Sequence, residues 1–484
     1  MLNRLKSDHP FSTLFLVFGF ITIASTFLAI ATGFYPLFVF PIVLILAYVS
    51  IHDVKNLFYL LFLSIPVSTA IDFGAGFSTD FPSELLMIVC MGICFLYLLV
   101  NGRKLDKSFV LHPISILLTV HLVWILITTF TSLNVWVSVK YLLAKAWYVF
   151  SLYYLSILLI RSETVIKKII WCFSISLLLT VLVVMCRHSL TGFSYKEINY
   201  VLGPFYSNHV AYASIMVVCF PFIFLAKNWY KPYSKNWLFF LGFSALLVVA
   251  IYFSYTRAAF ASLVLLIPSY FVIKWRLTTV SFMAAIALLT FFFGSMAYKN
   301  TFMEYAPNFE KTTIQSNYDN LLEATLKGED ISTMERFYRW IAGFYMAKER
   351  PLMGYGPGNF YNFYRGYTVN SFRTYVSDNK ERSGIHNYFL MVMVEQGIFG
   401  LIIFMILSFL TFSKGEDIYH RQTSKLGKNL VMMSLLSLIM VYSLLVMNDM
   451  IETDKVGSFY FFSLALLVNC DLNLIKPETK LEQY

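Results

Sequence analysis

Apolar residues run through this chain in long blocks separated by short polar stretches. A helix that rises about 1.5 Å per residue needs roughly 20 such residues to cross a bilayer. On that length the pattern predicts fourteen spans, at about 11–31, 35–51, 57–71, 84–100, 111–132, 138–160, 166–186, 207–227, 236–255, 257–273, 278–298, 386–412, 428–447 and 456–473. The second and third are short, so the expectation is an all-α polytopic membrane protein with about 12–14 transmembrane helices. One stretch breaks the rhythm. Residues 299–385 are polar and far too long to be a connector between bundle helices, and connections of that length are usually functional. They read as one long, partly helical loop. No tandem repeat, low-complexity tract or linker divides the chain, so 1–484 is expected to be a single membrane domain with 299–385 a loop inside it.

Composition fits this reading: 58% of the residues are apolar and 13% charged, against about 45–50% and about 25% in soluble domains. The placement of the charges then sets the orientation, because Lys and Arg gather on cytoplasmic loops. Arg4, Lys55, Arg103, Arg161, Lys227, Lys274, Lys425 and Lys476 all fall on one side, the side of both termini. The loop, which holds 11 of the 37 Lys and Arg residues, is longer than the stretch over which that rule counts. It is expected to be extracytoplasmic. The net charge of +10 reflects topology and affinity for anionic membrane lipids, not nucleic acid. The first block is longer than a signal core and lacks a small-residue cleavage pattern, so it is expected to remain as an anchor. Six cysteines, Cys90, Cys94, Cys172, Cys186, Cys219 and Cys470, sit inside predicted spans and suggest neither a disulfide framework nor a zinc site.

Candidate chemistry gathers where the loop meets the membrane. Ser332-Thr-Met-Glu335 is a capping-box pattern, and helical periodicity follows as far as Pro351, which predicts a helix over about 333–349. On it Arg336 and Trp340 share a face, with Arg339 on the adjoining surface. Guanidinium forks beside aromatics suit phosphate recognition. An amphipathic helix lying on the membrane would show the same pattern. Gly354-Tyr355-Gly356-Pro357-Gly358-Asn359 reads as a tight turn in preference to a phosphate cradle. Arg257 breaks an apolar run too long for one span. It should stand at the extracytoplasmic end of a helix, where it either serves a function or snorkels to the interface. His386 heads the next span on the same side and is the side chain suited to accept a proton near neutral pH. Two cations and one base at a single membrane face suggest stabilisation of an anionic leaving group beside activation of a nucleophile.

From about Leu202 to Asp449 the chain resembles the O-antigen ligase and O-antigen polymerase superfamily of bacterial polytopic membrane glycosyltransferases. The resemblance rests on Gly203-Pro204-Phe205 with Asn208, on Thr256-Arg257, and on Arg336 followed by Trp340. It continues through Pro351, Gly354, Gly356, Gly358 and Phe360 to His386-Asn387, Leu390, Glu395, Gly397 and Gly400. Thr256 stands where the family often has serine. The resemblance implies His386 as catalytic base and Arg257 and Arg336 as diphosphate ligands. Arg339, Asn387, Asp449 and Asn208 are secondary candidates, and Glu452 and Asp454 compete with Asp449 for the acidic position.

The resemblance further implies a glycan donor linked to a polyprenol through diphosphate, and an acceptor hydroxyl on a glycan or lipid-anchored sugar. Transfer would occur at the extracytoplasmic face of the bacterial cytoplasmic (inner) membrane. Direct displacement would invert the anomeric carbon. No cofactor or metal is expected, since the loop near Gly33-Phe34-Tyr35 lacks the acidic residue of metal-dependent oligosaccharyltransferases, although Asp72, Asp80 and Glu84 lie on the next outer loop. Glu395 points away from His386 and reads as structural. The pattern of the loop helix leans toward a ligase. A polymerase joining lipid-linked repeat units is the alternative. A lipid-linked glycan flippase or transporter, prompted by the intramembrane Lys145, is the alternative from another class.

Overall fold

A computed structural model describes residues 19–28, 32, 53–72, 78–102, 107–305, 331–374, 377 and 384–476. The predicted span 35–51 and most of 11–31 lie outside them. The chain divides into two compact units, Met1–Leu61 and Phe62–Tyr484. In the first, helix α1 (Gly19–Leu28) and the start of α2 (Val54–Ser64) are described.

The second unit is helical almost throughout, and the chain is an all-α polytopic membrane protein. Among the described residues nine helices are long and apolar enough to span a bilayer. They are α3 (Ser83–Asn101), α4 (Pro113–Phe130), α5 (Val135–Leu159), α6 (Glu163–Leu190), α7 (His209–Trp229), α8 (Lys235–Phe253), α9 (Arg257–Lys274), α12 (Tyr388–Arg421) and α13 (Lys425–Leu445). Between α9 and α12 lie α10 (Thr278–Ala297) and the loop helix α11 (Ile331–Glu349), and α14 (Asp454–Asp471) closes the series. These helices fall on the spans expected from 84–100 onward.

The expected span 57–71 is corrected. Helix α2 gives way at Ser64 to a single tight turn, Ile65–Val67, which contains Pro66, and the chain then enters a hairpin. Proline lacks the amide needed to continue a helix. Strands β1 (Thr69–Asp72) and β2 (Ser78–Phe81) pair antiparallel, with Ala70 opposite Asp80. Four-residue strands are too short to show in hydropathy.

Short connections force successive helices to alternate in direction. The starts of α5, α7, α9, α12 and α14 therefore share one end of the bundle with the loop. At the opposite end Arg421 pairs with Asp471 at 2.8 Å, and the Glu416 carboxylate accepts from the Thr278 amide at 2.9 Å. The core is built on α7, α13 and α14, whose buried residues cover almost their whole length.

Helix α12 is broken at Gly397 (φ 71°), and the break positions the loop. A helix interruption inside a membrane protein leaves carbonyls that must find donors within the protein. Val394 and Glu395 carbonyls accept from the Tyr355 and Gly356 amides, each at 2.9 Å. The Gln396 carbonyl accepts from the Trp124 indole at 2.9 Å, and the Ile398 amide donates to the Pro351 carbonyl at 2.8 Å. Glu395 fastens the same turn from its side chain, accepting from the amides of Gly358 at 2.8 Å and Phe360 at 3.0 Å. The glycine-rich segment is thus a turn docked on the broken helix, and Glu395 is structural. Gly397 has no substitute here, because a Cβ would strike the Leu352 carbonyl.

Candidate active site

Helix α11 turns Met334, Glu335, Tyr338, Arg339, Ile341 and Ala342 inward. Glu335 fixes the helix start, since its carboxylate accepts from the hydroxyls of Thr374 and of Ser377, the latter at 2.8 Å. One turn on, Arg339 is also buried, with its guanidinium 3.8 Å from Glu335. Its Nη1 donates to the Gly384 carbonyl at 2.9 Å and meets His386 Nε2 at 2.8 Å. A guanidinium can only donate, so Nε2 is the acceptor and a neutral His386 carries its proton on Nδ1.

His386 occupies the left-handed backbone region (φ 59°), which is uncommon for a residue with a side chain and concentrates at functional positions. Asn387 returns to extended backbone and caps α12, its side chain accepting from the Leu390 amide at 3.0 Å. The Asn387 amide group also donates to the Val446 carbonyl at 3.2 Å, which ties the helix start to the end of α13. Burial pushes the His386 imidazole down to about 3, and the charges of Arg339 and then Arg336 add to the effect.

Across from this turn, Asp449 fills the space that a side chain on Gly384 would need. Burial raises its carboxyl to about 6. The nearby Glu452 charge acts in the same direction, and Arg339 acts against it. Glu452 is held by Lys145 at 2.7 Å and by the Tyr141 hydroxyl at 2.8 Å. Lys145 Nζ lies 3.5 Å from the Tyr388 hydroxyl. The intramembrane lysine is therefore neutralised directly beneath the turn that carries His386.

The expected residues separate into two groups. Arg336, Arg339, His386 and Asp449 converge. Arg257 begins α9 at the same end of the bundle but adjoins His209 at the start of α7. Thr256 joins the same corner, its hydroxyl donating to the His209 carbonyl at 3.1 Å. Asn208 caps α7 through the Ala211 amide at 2.9 Å. Trp340 is buried beside Phe337, ring centres 5.6 Å apart. In sequence Arg339 ranks second to Arg336, yet Arg339 is the one on the imidazole. The i, i+4 spacing of Glu335 and Arg339 was the available signal. Sequence did not point to Glu452 as the partner of Lys145.

Asp80 and Glu84, on and just after the hairpin, meet α14 instead. Burial and the Asp454 charge raise Asp80 to about 7. Asp454 accepts from the Ser83 hydroxyl at 2.7 Å, and Lys455 Nζ lies 3.7 Å from it. Among the described residues no group of three or more His, Cys, Asp or Glu is placed to hold a metal ion.

Residues 242–405 match the model of the O-antigen ligase family. The matched stretch runs from within α8 into α12 and includes Arg257, Arg336, Arg339, His386 and Asn387, while Asn208 and Asp449 fall outside it. No curated protein matches the chain. The family assigns a membrane function of the O-antigen ligase or polymerase type, with lipid-linked glycans and polysaccharide as the substrate class. Over residues 242–405, on a multi-pass helical frame, the chain is similar to the O-antigen ligase family, which supports placing it with the O-antigen ligase superfamily.

Proposed function

We propose that the protein is an inverting glycosyltransferase that moves a glycan from polyprenyl diphosphate to an acceptor hydroxyl at the extracytoplasmic face of the cytoplasmic membrane. The observation that supports it best is the Arg339 guanidinium on the single imidazole at the head of α12, with Arg336 one turn earlier on the same helix. In the reaction the acceptor oxygen attacks the anomeric carbon as the bond from that carbon to the phosphate oxygen breaks. The electron pair leaves with polyprenyl diphosphate, and the hydroxyl proton passes to His386 Nε2. Arg336 binds the diphosphate on the His386 side and Arg257 meets it from the α9 corner at the same end of the bundle, both stabilising the charge that grows on it. Arginines thus supply the positive charge at the leaving group, so the mechanism needs no metal.

Asn387 acts by holding the His386 turn to α12 and α13. Asp449 acts by packing against Gly384. Aromatic residues on the loop, among them Tyr361 and Phe363, offer faces for sugar rings. The whole site lies within Phe62–Tyr484.

The test is the cell-envelope glycan of a deletion strain. Finished glycan accumulating on polyprenyl diphosphate, unattached to its acceptor, supports a ligase. Accumulation of single repeat units makes the protein a polymerase. Unchanged envelope glycan overturns the reading.

A further inference from the structure

A base surrounded by cations poses an electrostatic problem. Nε2 of His386, the lone pair that must take the proton, is occupied by Arg339 Nη1 at 2.8 Å, and that N–H cannot point at a substrate while it points at the ring. Arg336 on the same helix adds a second positive charge. Among the described residues, the other ionisable groups around this corner are Glu335 on α11 and, across Gly384, Asp449 with Glu452 and its partner Lys145 behind it. Two arginines beside an imidazole oppose its protonation, and only an incoming anion reverses the balance.

We infer that Arg339 is a positioning residue that latches His386: its guanidinium covers Nε2 while the donor site is empty and swings to the donor's diphosphate when that binds, uncovering the base. The inference rests on His386 being the base.

The latch also prepares the ring. While Arg339 donates to Nε2 the imidazole proton stays on Nδ1, so the tautomer exposed on release is the one whose Nε2 can accept a proton. The diphosphate replaces the lost hydrogen bond with charge-assisted ones and brings negative charge beside the ring. The swing also releases the Gly384 carbonyl from Nη1, while Glu335 keeps the helix itself anchored through Thr374 and Ser377. Coupling the base to donor binding would keep it from activating an acceptor when no activated sugar is present.

The test is the titration of His386 in the full-length protein in lipid nanodiscs. Histidine-selective isotope labelling is used, and the resonance is assigned by its loss in His386→Gln. In the donor-free protein the ring should not titrate between about pH 5 and pH 8. With saturating polyprenyl diphosphate carrying no sugar, its apparent pKa should rise by about one unit or more. An unmoved resonance overturns the latch. Arg339→Gln should bring the donor-free ring into titration, shifted toward but short of about 6.5 because burial and Arg336 remain, and move the acid limb of kcat/KM for the donor with it. Arg339→Lys, which keeps a cationic donor, should restore the silent ring. Arg339→Gln that lowers kcat equally at every pH, with the ring still silent, marks Arg339 as scaffold only. Should that variant not fold, the wild-type titration decides alone. These titrations need no turnover, whereas activity retained in His386→Gln would remove the base assignment itself.

Discussion

Lys145 on α5 and Glu452 in the turn before α14 form an ion pair of 2.7 Å that underlies the candidate site. The lysine side chain is almost fully buried and sits over the rings of Tyr141 and Tyr388, while Glu452 keeps some exposure. Lys145 also borders a small cavity lined by His121, Tyr388 and Phe461. Lys145 thus ties α5 to the segment that bears Asp449.

Breaking a buried pair by removing one partner leaves the other charge uncompensated. Lys145→Met is therefore expected to cost about 3 kcal/mol, toward the lower end for such pairs because Glu452 is partly exposed. The double variant Lys145→Met with Glu452→Gln should recover part of that loss. Thermal unfolding in detergent reads both. Equal loss in the single and double variants would show that the pair is not the relevant interaction.

His386→Ala should lower transfer by about 10²- to 10⁴-fold, the usual contribution of a positioned base, with folded protein retained. Arg336→Lys and Arg257→Lys should also be severely impaired, because a point charge does not replace a bidentate fork. Purified protein, lipid-linked donor and acceptor suffice for the assay. Near-normal glycan from the His386 variant would remove it from the reaction. Activity should survive a chelator, and loss restored by a divalent cation would contradict the metal-free mechanism.

The pH dependence of stability should carry two opposed contributions. His386 falls from 6.5 to about 3 on folding, so below about 6.5 the unfolded chain binds a proton that the native protein refuses, and stability drops as the pH falls toward 3. Asp449 rises from 3.8 to about 6, so between those values the native protein holds the extra proton and stability rises as the pH falls. The histidine shift is the larger. Relative to the parent, His386→Gln should lose the acid-side drop between about pH 6.5 and pH 4, and Asp449→Asn should lose the opposing gain. Parallel melting curves for parent and His386→Gln across that range would contradict the assignment.

Orientation can be read by cysteine labelling in intact cells, with the exposed Cys186 replaced by serine. A cysteine at Ser371, in the loop after α11, should react with an impermeant reagent. One at Thr423, between α12 and α13, should stay silent until the membrane is opened. The reverse pattern would move the candidate site to the cytoplasmic face.

Much of the frame was legible in the chain because hydrophobic length is a one-dimensional quantity. A run of some 20 apolar residues must either cross a bilayer or be buried, whatever surrounds it, and the spans from 84–100 onward follow from that alone. The same logic singled out the loop, the helix ending before Pro351, and Arg257, Arg336 and His386 as charges or titratable groups at helix boundaries. Residues 57–71 misled because hydropathy is blind to Pro66 and to strands of four residues.

What the chain could not state was which of its polar residues touch. Arg339 and His386 lie on different elements, separated by the turn docked on α12, and their contact exists only because Gly397 breaks that helix and the loop's amides satisfy the freed carbonyls. Glu452 reaches Lys145 only after α5 and α14 pack together. Sequence by itself determined where the chain must be apolar and where it must be charged, since burial acts on each residue separately. Tertiary structure decided which arginine sits on the imidazole, which tautomer that imidazole holds and which carboxylate answers the buried lysine, because hydrogen bonds and ion pairs depend on distances that no spacing along the chain encodes.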